Sequence, residues 1–300
     1  MTPRPRGAVR PARLILTVVI LVVAGVLLWR HLDRERGPAP DRPRRLEEGR
    51  HPVPAPRRGP GGRRGGVPRA VEGPTPIAIV IDDVGFDEAP VVELTRLGLA
   101  FTFAILPHQR YSRSLASRLS AEGYEVILHM PMQPLGYPAR DPGEGAVGAE
   151  MSPAEIRRAV EMGLAEVPQA AGLNNHMGSR TTADPRAMRS VLEVLGRRGL
   201  FFLDSRTTPR TVGFDLAREM GVPALERRVF LDDRREASYI EGQVHGLLRK
   251  AREEGTVVAI GHPDTVTVDV LRRTADLFRG DDVVVVPASA LVRPPNGDPD

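Results

Sequence analysis

From Ile77 onward the apolar positions fall into short runs separated by amphipathic stretches. The runs are "IAIVI", "FTFAIL", "EVILHM", "GLNNHM", "LFFLD", "RVFLD", "TVVAIGH" and "VVVVP". Near-continuous apolar runs of this length, bounded by turn residues, predict strands buried on both faces. Between most of them the apolar residues recur every three or four positions, as in "YSRSLASRLSAEG", "DPRAMRSVLEVLGRRG", "IEGQVHGLLRKAREEG" and "VDVLRRTADLFRG". That spacing predicts helices with one face on a core. "SPAE" predicts a helix start: Ser152 as N-cap, Pro153 at the first helical position and Glu155 closing a capping box. Strand and helix alternating in this way describe an α/β domain, either a (β/α) barrel or an open parallel sheet.

The N-terminal part of the chain follows a different pattern. Residues 14–29, "LILTVVILVVAGVLLW", are apolar throughout and follow Arg4, Arg6, Arg10 and Arg13. A run this apolar, flanked by arginines that can snorkel, predicts a transmembrane anchor across a hydrocarbon core of about 30 Å. "VVA" ending at Ala24 also fits the cleavage site of a signal peptide, but five more apolar residues follow it. The organisation expected is therefore a basic tail over 1–13 and an anchor (or signal peptide) over 14–30. A Pro-, Arg- and Gly-rich disordered linker over 31–75, a globular domain over 76–293 and a tail over 294–300 complete it. This places a single-pass protein in the inner membrane, with its domain on the periplasmic side.

Composition narrows the chemistry. Of 300 residues, 41% are hydrophobic and 27% charged, which is globular rather than disordered. There is no cysteine, so disulfides and thiolate ligands are excluded and any metal must use imidazole and carboxylate. Of the 42 basic residues only Lys250 is lysine, and the net charge of +4 gathers in the N-terminal segment. A nucleic-acid surface would pattern its arginines over the folded domain instead, and none is expected.

In parallel α/β folds the chemistry gathers at the C-terminal ends of strands. The first strand ends in Asp82 and Asp83, the third in His129, the fourth in "NNHMGSR" and the fifth in "LDSRTT". Asp232 and Asp233 follow the sixth, and His262 follows the seventh. Two imidazoles and a carboxylate with an open position form the ligand set of a catalytic zinc site. Paired acids at the end of a buried strand would then face a divalent cation, one as ligand and one as base.

The ordered set "IDD", "ILP", "LHMPMQP", "NNHMGSR", "LFFLDSRTT" and "AIGHP" resembles the divergent polysaccharide deacetylases, relatives of the NodB-like carbohydrate deacetylases. The resemblance implies a distorted (β/α) barrel of about seven strands and metal-dependent removal of acetyl groups from amino-sugar polymers. It implies Asp82 as general base, Asp83 as metal ligand, His262 as general acid and His129 as a further ligand. Zn²⁺ or another divalent cation is the expected cofactor, and a polysaccharide or peptidoglycan-like glycan the expected partner. One position departs from the better-known deacetylases, whose second ligand histidine stands four residues after the first. Here that position is Gln133.

A third ligand must then come from a neighbouring strand end, and His176 meets that condition. Gln133 is a poor zinc ligand, and His108 lies in a loop after the second strand. Asn175, Ser179, Asp204 and Ser205 are expected around the ligands or against substrate, with Asp204 orienting a histidine. The competing reading, motivated by Gln133, is a catalytically degenerate glycan-binding or cell-wall regulatory module that keeps the fold.

Overall fold

The computed structural model describes residues 73–292; the anchor expected over 14–30, the linker and the last residues lie outside them. In chain order the elements are β1 (Thr75–Val84), α1 (Ala89–Thr95), β2 (Thr102–Ile105), α2 (Ser112–Ala121), β3 (Glu125–Met132), α3 (Pro153–Glu166), β4 (Gly172–Met177) and α4 (Pro185–Arg198). There follow β5 (Phe201–Asp204), α5 (Gly213–Glu219), β6 (Ala224–Glu226), β7 (Val229–Phe230), α6 (Ala237–Glu254), β8 (Val257–Gly261), α7 (Thr265–Thr274) and β9 (Val283–Val285). Every expected strand is present, and every pairing between named strands is parallel.

The sheet runs β6-β5-β4-β3-β2-β1-β8-β7, with β9 paired to β1. Among the described residues there are thus nine strands, where the resemblance implies about seven and the apolar runs predict eight. The sequence reading has no counterpart for β6, because "ALE" is too short and too little apolar to stand out. β6 and β7 are the two ends of the path and are consecutive in the chain. At the join the Arg227 N–H donates to the carbonyl of Asp204, the last residue of β5, and the Arg228 N–H donates to the Val258 carbonyl in β8. One extended stretch thus touches both ends of the sheet, which curls the strands into a barrel-like wall with a seam at Arg227–Arg228.

Strand periodicity sorts the core into two layers. Ile77, Ile79 and Ile81 join a large cluster with helix residues such as Leu94, Val244 and Leu271. Ala78 and Val80, on the alternate face, join Ala104, Ile127, Leu203 and Ile260 in a smaller cluster inside the curl. Ala288 and Leu291 belong to this inner cluster too, and the Ala288 N–H donates to Thr102 Oγ1 at the start of β2. The C-terminal turn thereby closes the floor beneath the strand starts, leaving the opposite, C-terminal ends to form the mouth.

Helix caps follow the sequence signals. Ser152 Oγ accepts from the Glu155 N–H while the Glu155 carboxylate accepts from the Ser152 N–H, the reciprocal pair expected of "SPAE". Asp184 and Asp264 cap α4 and α7 without a reciprocal partner, each accepting from two backbone N–H groups.

Candidate active site

The inner face that carries Ala78 and Val80 continues one step up to Asp82, the face of Ile127 to His129, and that of Ile260 to His262. Alternation alone would turn Asp83 outward, towards the helices. Instead β1 bulges between Ile81 and Val84, and Asp83 takes a left-handed φ of 55°. Short polar side chains tolerate that region better than most, and a bulge re-aims side chains beside it. Both carboxylates of the "DD" pair consequently face the mouth.

β3 and β4 pair with His129 opposite Asn174 and Pro131 opposite His176. Residues paired across parallel strands point to the same side, so His129, Asn174 and His176 share one face. His176 Nδ1 lies 2.8 Å from Asp83 Oδ1, and His129 Nε2 lies 3.1 Å from the same oxygen. The two ring nitrogens are 3.2 Å apart. Asp83, His129 and His176 can each offer one ligand atom, all within 4.8 Å of one another.

Hydrogen bonding fixes which nitrogen of His129 is available. Asn174 Nδ2 donates to Asp82 Oδ1 at 2.7 Å, which leaves Asn174 Oδ1 as an acceptor. His129 Nδ1, 2.7 Å from that oxygen, is therefore the N–H donor. In the neutral ring Nε2 then presents a lone pair, aimed at the same point as the Asp83 oxygen and the His176 nitrogen. Converging lone pairs repel unless a proton or a cation lies among them, and two imidazoles plus a carboxylate suit a divalent ion with positions to spare. The donor set fits a metal.

His262 enters from the other side of Asp83, with Nε2 3.8 Å from Asp83 Oδ2. Its Nδ1 donates to Asp232 Oδ1 at 3.0 Å, and its backbone N–H donates to Asp232 Oδ2 at 2.6 Å. Thr267 Oγ1 donates to Asp232 Oδ2 as well, so this buried carboxylate is fully engaged. Burial opposes the charge on His262, but the bond to Asp232 and the charges of Asp82 and Asp83 outweigh it, and the imidazole is pushed up to about 9. Burial also raises Asp82, although His129, His262 and Asn174 pull against it. For Asp83 the balance reverses: burial is overcome by the bonds from His129 and His176, which hold the carboxyl far below its ordinary range. Two adjacent aspartates are thus driven apart, one towards binding a proton and one towards staying ionised.

The remaining expected residues divide. Ser205 Oγ accepts from Asn174 Nδ2 at 3.3 Å, beside the ligands. Asn175 lines the cavity and clasps the ends of β4 and β5, accepting from the Ser205 N–H and donating to the Met177 carbonyl. Ser179 Oγ accepts from the Leu135 N–H and so anchors the loop after β3. Asp204 does not orient a histidine. It sits on the outer face of β5, one residue out of phase with the inward Leu203 and Ser205, and accepts from Arg206 N–H, Thr211 Oγ1 and Phe214 N–H. Gln133 is likewise structural: its Oε1 accepts from the Ala149 N–H and its carbonyl accepts from Arg180 and Thr181 N–H groups. His108 is 4.0 Å from a Glu166 oxygen and is not among the clustered ligand atoms.

Two orienting residues, Asn174 and Asp232, had no role assigned from sequence. A search for the polar residue paired across from each site histidine would have found Asn174, and the acid ending the strand before β8 is Asp232. Arg227 also lines the cavity, which measures about 350 Å³, together with Phe230 and Met177.

A curled parallel sheet with an Asp–His–His cluster at its strand ends, flanked by a second aspartate and an aspartate-backed histidine, defines an α/β protein with a candidate metal centre at its mouth. The chain belongs to the divergent polysaccharide deacetylase family, whose pattern it matches over residues 79–292. It is 36% identical over 223 residues to the uncharacterized protein YibQ of Escherichia coli (strain K12), covering 74% of this chain and 69% of that one. An uncharacterized protein of Haemophilus influenzae is 37% identical over 196 residues, 65% of this chain and 69% of the other. The crystal structure of an uncharacterized protein from Agrobacterium tumefaciens C58 superposes with a TM-score of 0.67 at 24% identity, covering 74% of this chain and 91% of that one.

Proposed function

We propose that this protein is a metal-dependent hydrolase that removes acetyl groups from an N-acetylated amino-sugar polymer of the cell envelope. The observation that carries the proposal is the convergence of Asp83, His129 and His176 beside Asp82 and His262, at a cavity that His129, His176, Asp82 and His262 line. Asp83, His129 and His176 would hold the metal, with Zn²⁺ the ion best matched to two imidazoles and a carboxylate. When bound, such an ion supplies Lewis-acid polarisation of the acetamide carbonyl and lowers the pKa of water.

The chain's own residues supply the proton transfers. Asp82, whose proton affinity is raised by burial, accepts the proton of the attacking water as its oxygen bonds to the carbonyl carbon. His262, protonated at neutral pH, donates from Nε2 to the amine nitrogen as the C–N bond breaks. The products are acetate and a free amino sugar. Asp232 fixes the His262 tautomer so that the transferable proton sits on the nitrogen facing the cavity. Residues 14–30 would hold the protein in the inner membrane, with the domain in the periplasm; the support for this is the apolar run and the short basic tail, free of acids, that precedes it.

The test is acetate release from N-acetylated glycan oligomers by the full chain loaded with Zn²⁺, paired with metal analysis. Stoichiometric metal with acetate release is expected. Stoichiometric metal with glycan binding but no release would replace the hydrolase with a glycan-binding module.

A further inference from the structure

The seam has a charge distribution that the proposed hydrolysis does not use. Arg227 lines the site cavity and also an adjoining cavity of about 440 Å³ along β7 and α6, which Arg228, Arg249 and Lys250 line too. A third hollow beside it is walled by Arg206, Arg227 and Arg228. Five cations thus follow one groove leading away from the metal-ligand cluster. The acids along it are Asp233, in the wall of the first two cavities, Glu226, paired with Arg206 and Arg228, and Glu254, paired with Arg228 and Lys250. The balance remains positive.

Arg227 differs from the other arginines of this surface in how it is held. Its neighbour Arg206 pairs with Glu226, and Arg228 with Glu226 and Glu254. Among the described residues no carboxylate pairs with Arg227 or Arg249. Instead Arg227 Nε donates to the Ser205 carbonyl at 2.7 Å and Nη2 to the Arg206 carbonyl at 3.0 Å, with the guanidinium 4.7 Å from the centre of the Phe230 ring. Phe230 in turn stacks edge-on against His262, the centroids 5.5 Å apart. A guanidinium has five N–H donors, and two are spent on carbonyls. The three that remain lie at the Nη1–Nη2 end, the fork that grips a carboxylate with two parallel bonds. Two carbonyls and a ring have already fixed its direction, so little order is lost on binding.

We propose that the seam is a carboxylate subsite, in which Arg227, backed by Arg228, Arg249 and Lys250, receives an acidic sugar of the glycan beside the acetylated residue presented to His262. The proposal rests on the hydrolase reading for the position of the acetyl group, but not for the binding of the acid. It makes the substrate an anionic polymer of amino sugar and acid-bearing sugar rather than a neutral one.

Two oligomers test it with the full chain: a neutral N-acetylglucosamine tetramer and an alternating N-acetylglucosamine–glucuronate tetramer. Binding is measured by calorimetry without added metal, and acetate release with Zn²⁺. The expected result is at least tenfold tighter binding and tenfold higher kcat/KM for the acidic oligomer, both preferences shrinking as salt rises. Arg227→Lys, which keeps the charge but loses the fork, should cut the preference several-fold, and so should the exposed double change Arg249→Gln/Lys250→Gln, which touches no core residue. Equal binding and equal turnover of the two oligomers would overturn the subsite and leave the hydrolase standing. Arg227-dependent binding of the acidic oligomer with no acetate released from either would do the reverse. A preference unchanged in both variants would place the acid elsewhere and also overturn it.

Discussion

Asn174 and Asp82 are joined by a 2.7 Å hydrogen bond across 92 positions of sequence, from the middle of β4 to the last residues of β1. Because the same amide accepts from His129, one asparagine sets both the carboxylate proposed as base and the tautomer of a proposed ligand. Asn174→Ala should therefore weaken metal affinity and turnover together, each by about 10- to 100-fold. Asn174→Asp should be worse, since it sets a second carboxylate against Asp82. Metal titration alongside kcat/KM measures both effects, and a loss of turnover with unaltered metal affinity would disprove the double role.

Ligand identity is separable from packing. His129→Ala and His176→Ala should each lose bound metal, whereas His108→Ala should retain it. Gln133→Ala should also retain metal but lose about 1–3 kcal/mol of stability, because the Ala149 N–H that it satisfies is left buried and unpaired. Full metal occupancy in His176→Ala would remove this ligand set.

The two neighbouring aspartates should behave differently on amidation. Asp82→Asn should abolish most turnover while leaving the metal in place, since Asp83 makes the close contacts with both ligand histidines. Asp83→Asn should release the metal. Parallel loss of metal in Asp82→Asn would mean that the roles are exchanged.

His262 gives a pH prediction for the metal-free protein. Its pKa is raised in the fold to about 9 from an ordinary 6.5, so its contribution to stability is complete below about pH 6.5 and disappears as pH rises through 9. The amount at stake is on the order of 3 kcal/mol. Denaturant unfolding between pH 6 and 10 should show this decline, and Asp232→Asn should remove most of it. An NMR titration that places His262 near 6.5 in the wild type would contradict the arrangement.

The anchor proposed over 14–30 carries the last prediction. The full-length protein should stay with membranes through a carbonate wash, and a mature chain beginning near Gly25 would instead establish a cleaved signal.

Most of this architecture was legible because buried parallel strands write themselves as apolar runs, and the site residues end those runs. What remained illegible depends on phase and pairing. "LDS" does not say which of Asp204 and Ser205 faces inward; the pleat turns Ser205 to the site and Asp204 to its own loop. "DD" does not announce the bulge that brings Asp83 to the same side as Asp82. His176 was legible as a strand-end candidate, but its place beside His129 comes from β3 and β4 being neighbours in register, a relation no single segment contains. Short β6 and the seven-residue helices α1 and α5 carry too few periods to register as patterns.

The seam also governs how this sheet meets other molecules. An unpaired strand edge is a template on which another chain can grow a sheet, and open parallel sheets usually carry two of them. Here the two terminal strands are consecutive parts of one stretch, three residues long in β6 and two in β7, with arginines at the join. So little free edge, charged where it changes sides, gives a foreign strand almost nothing to pair with. The arrangement that curls the sheet also guards it against edge-to-edge aggregation.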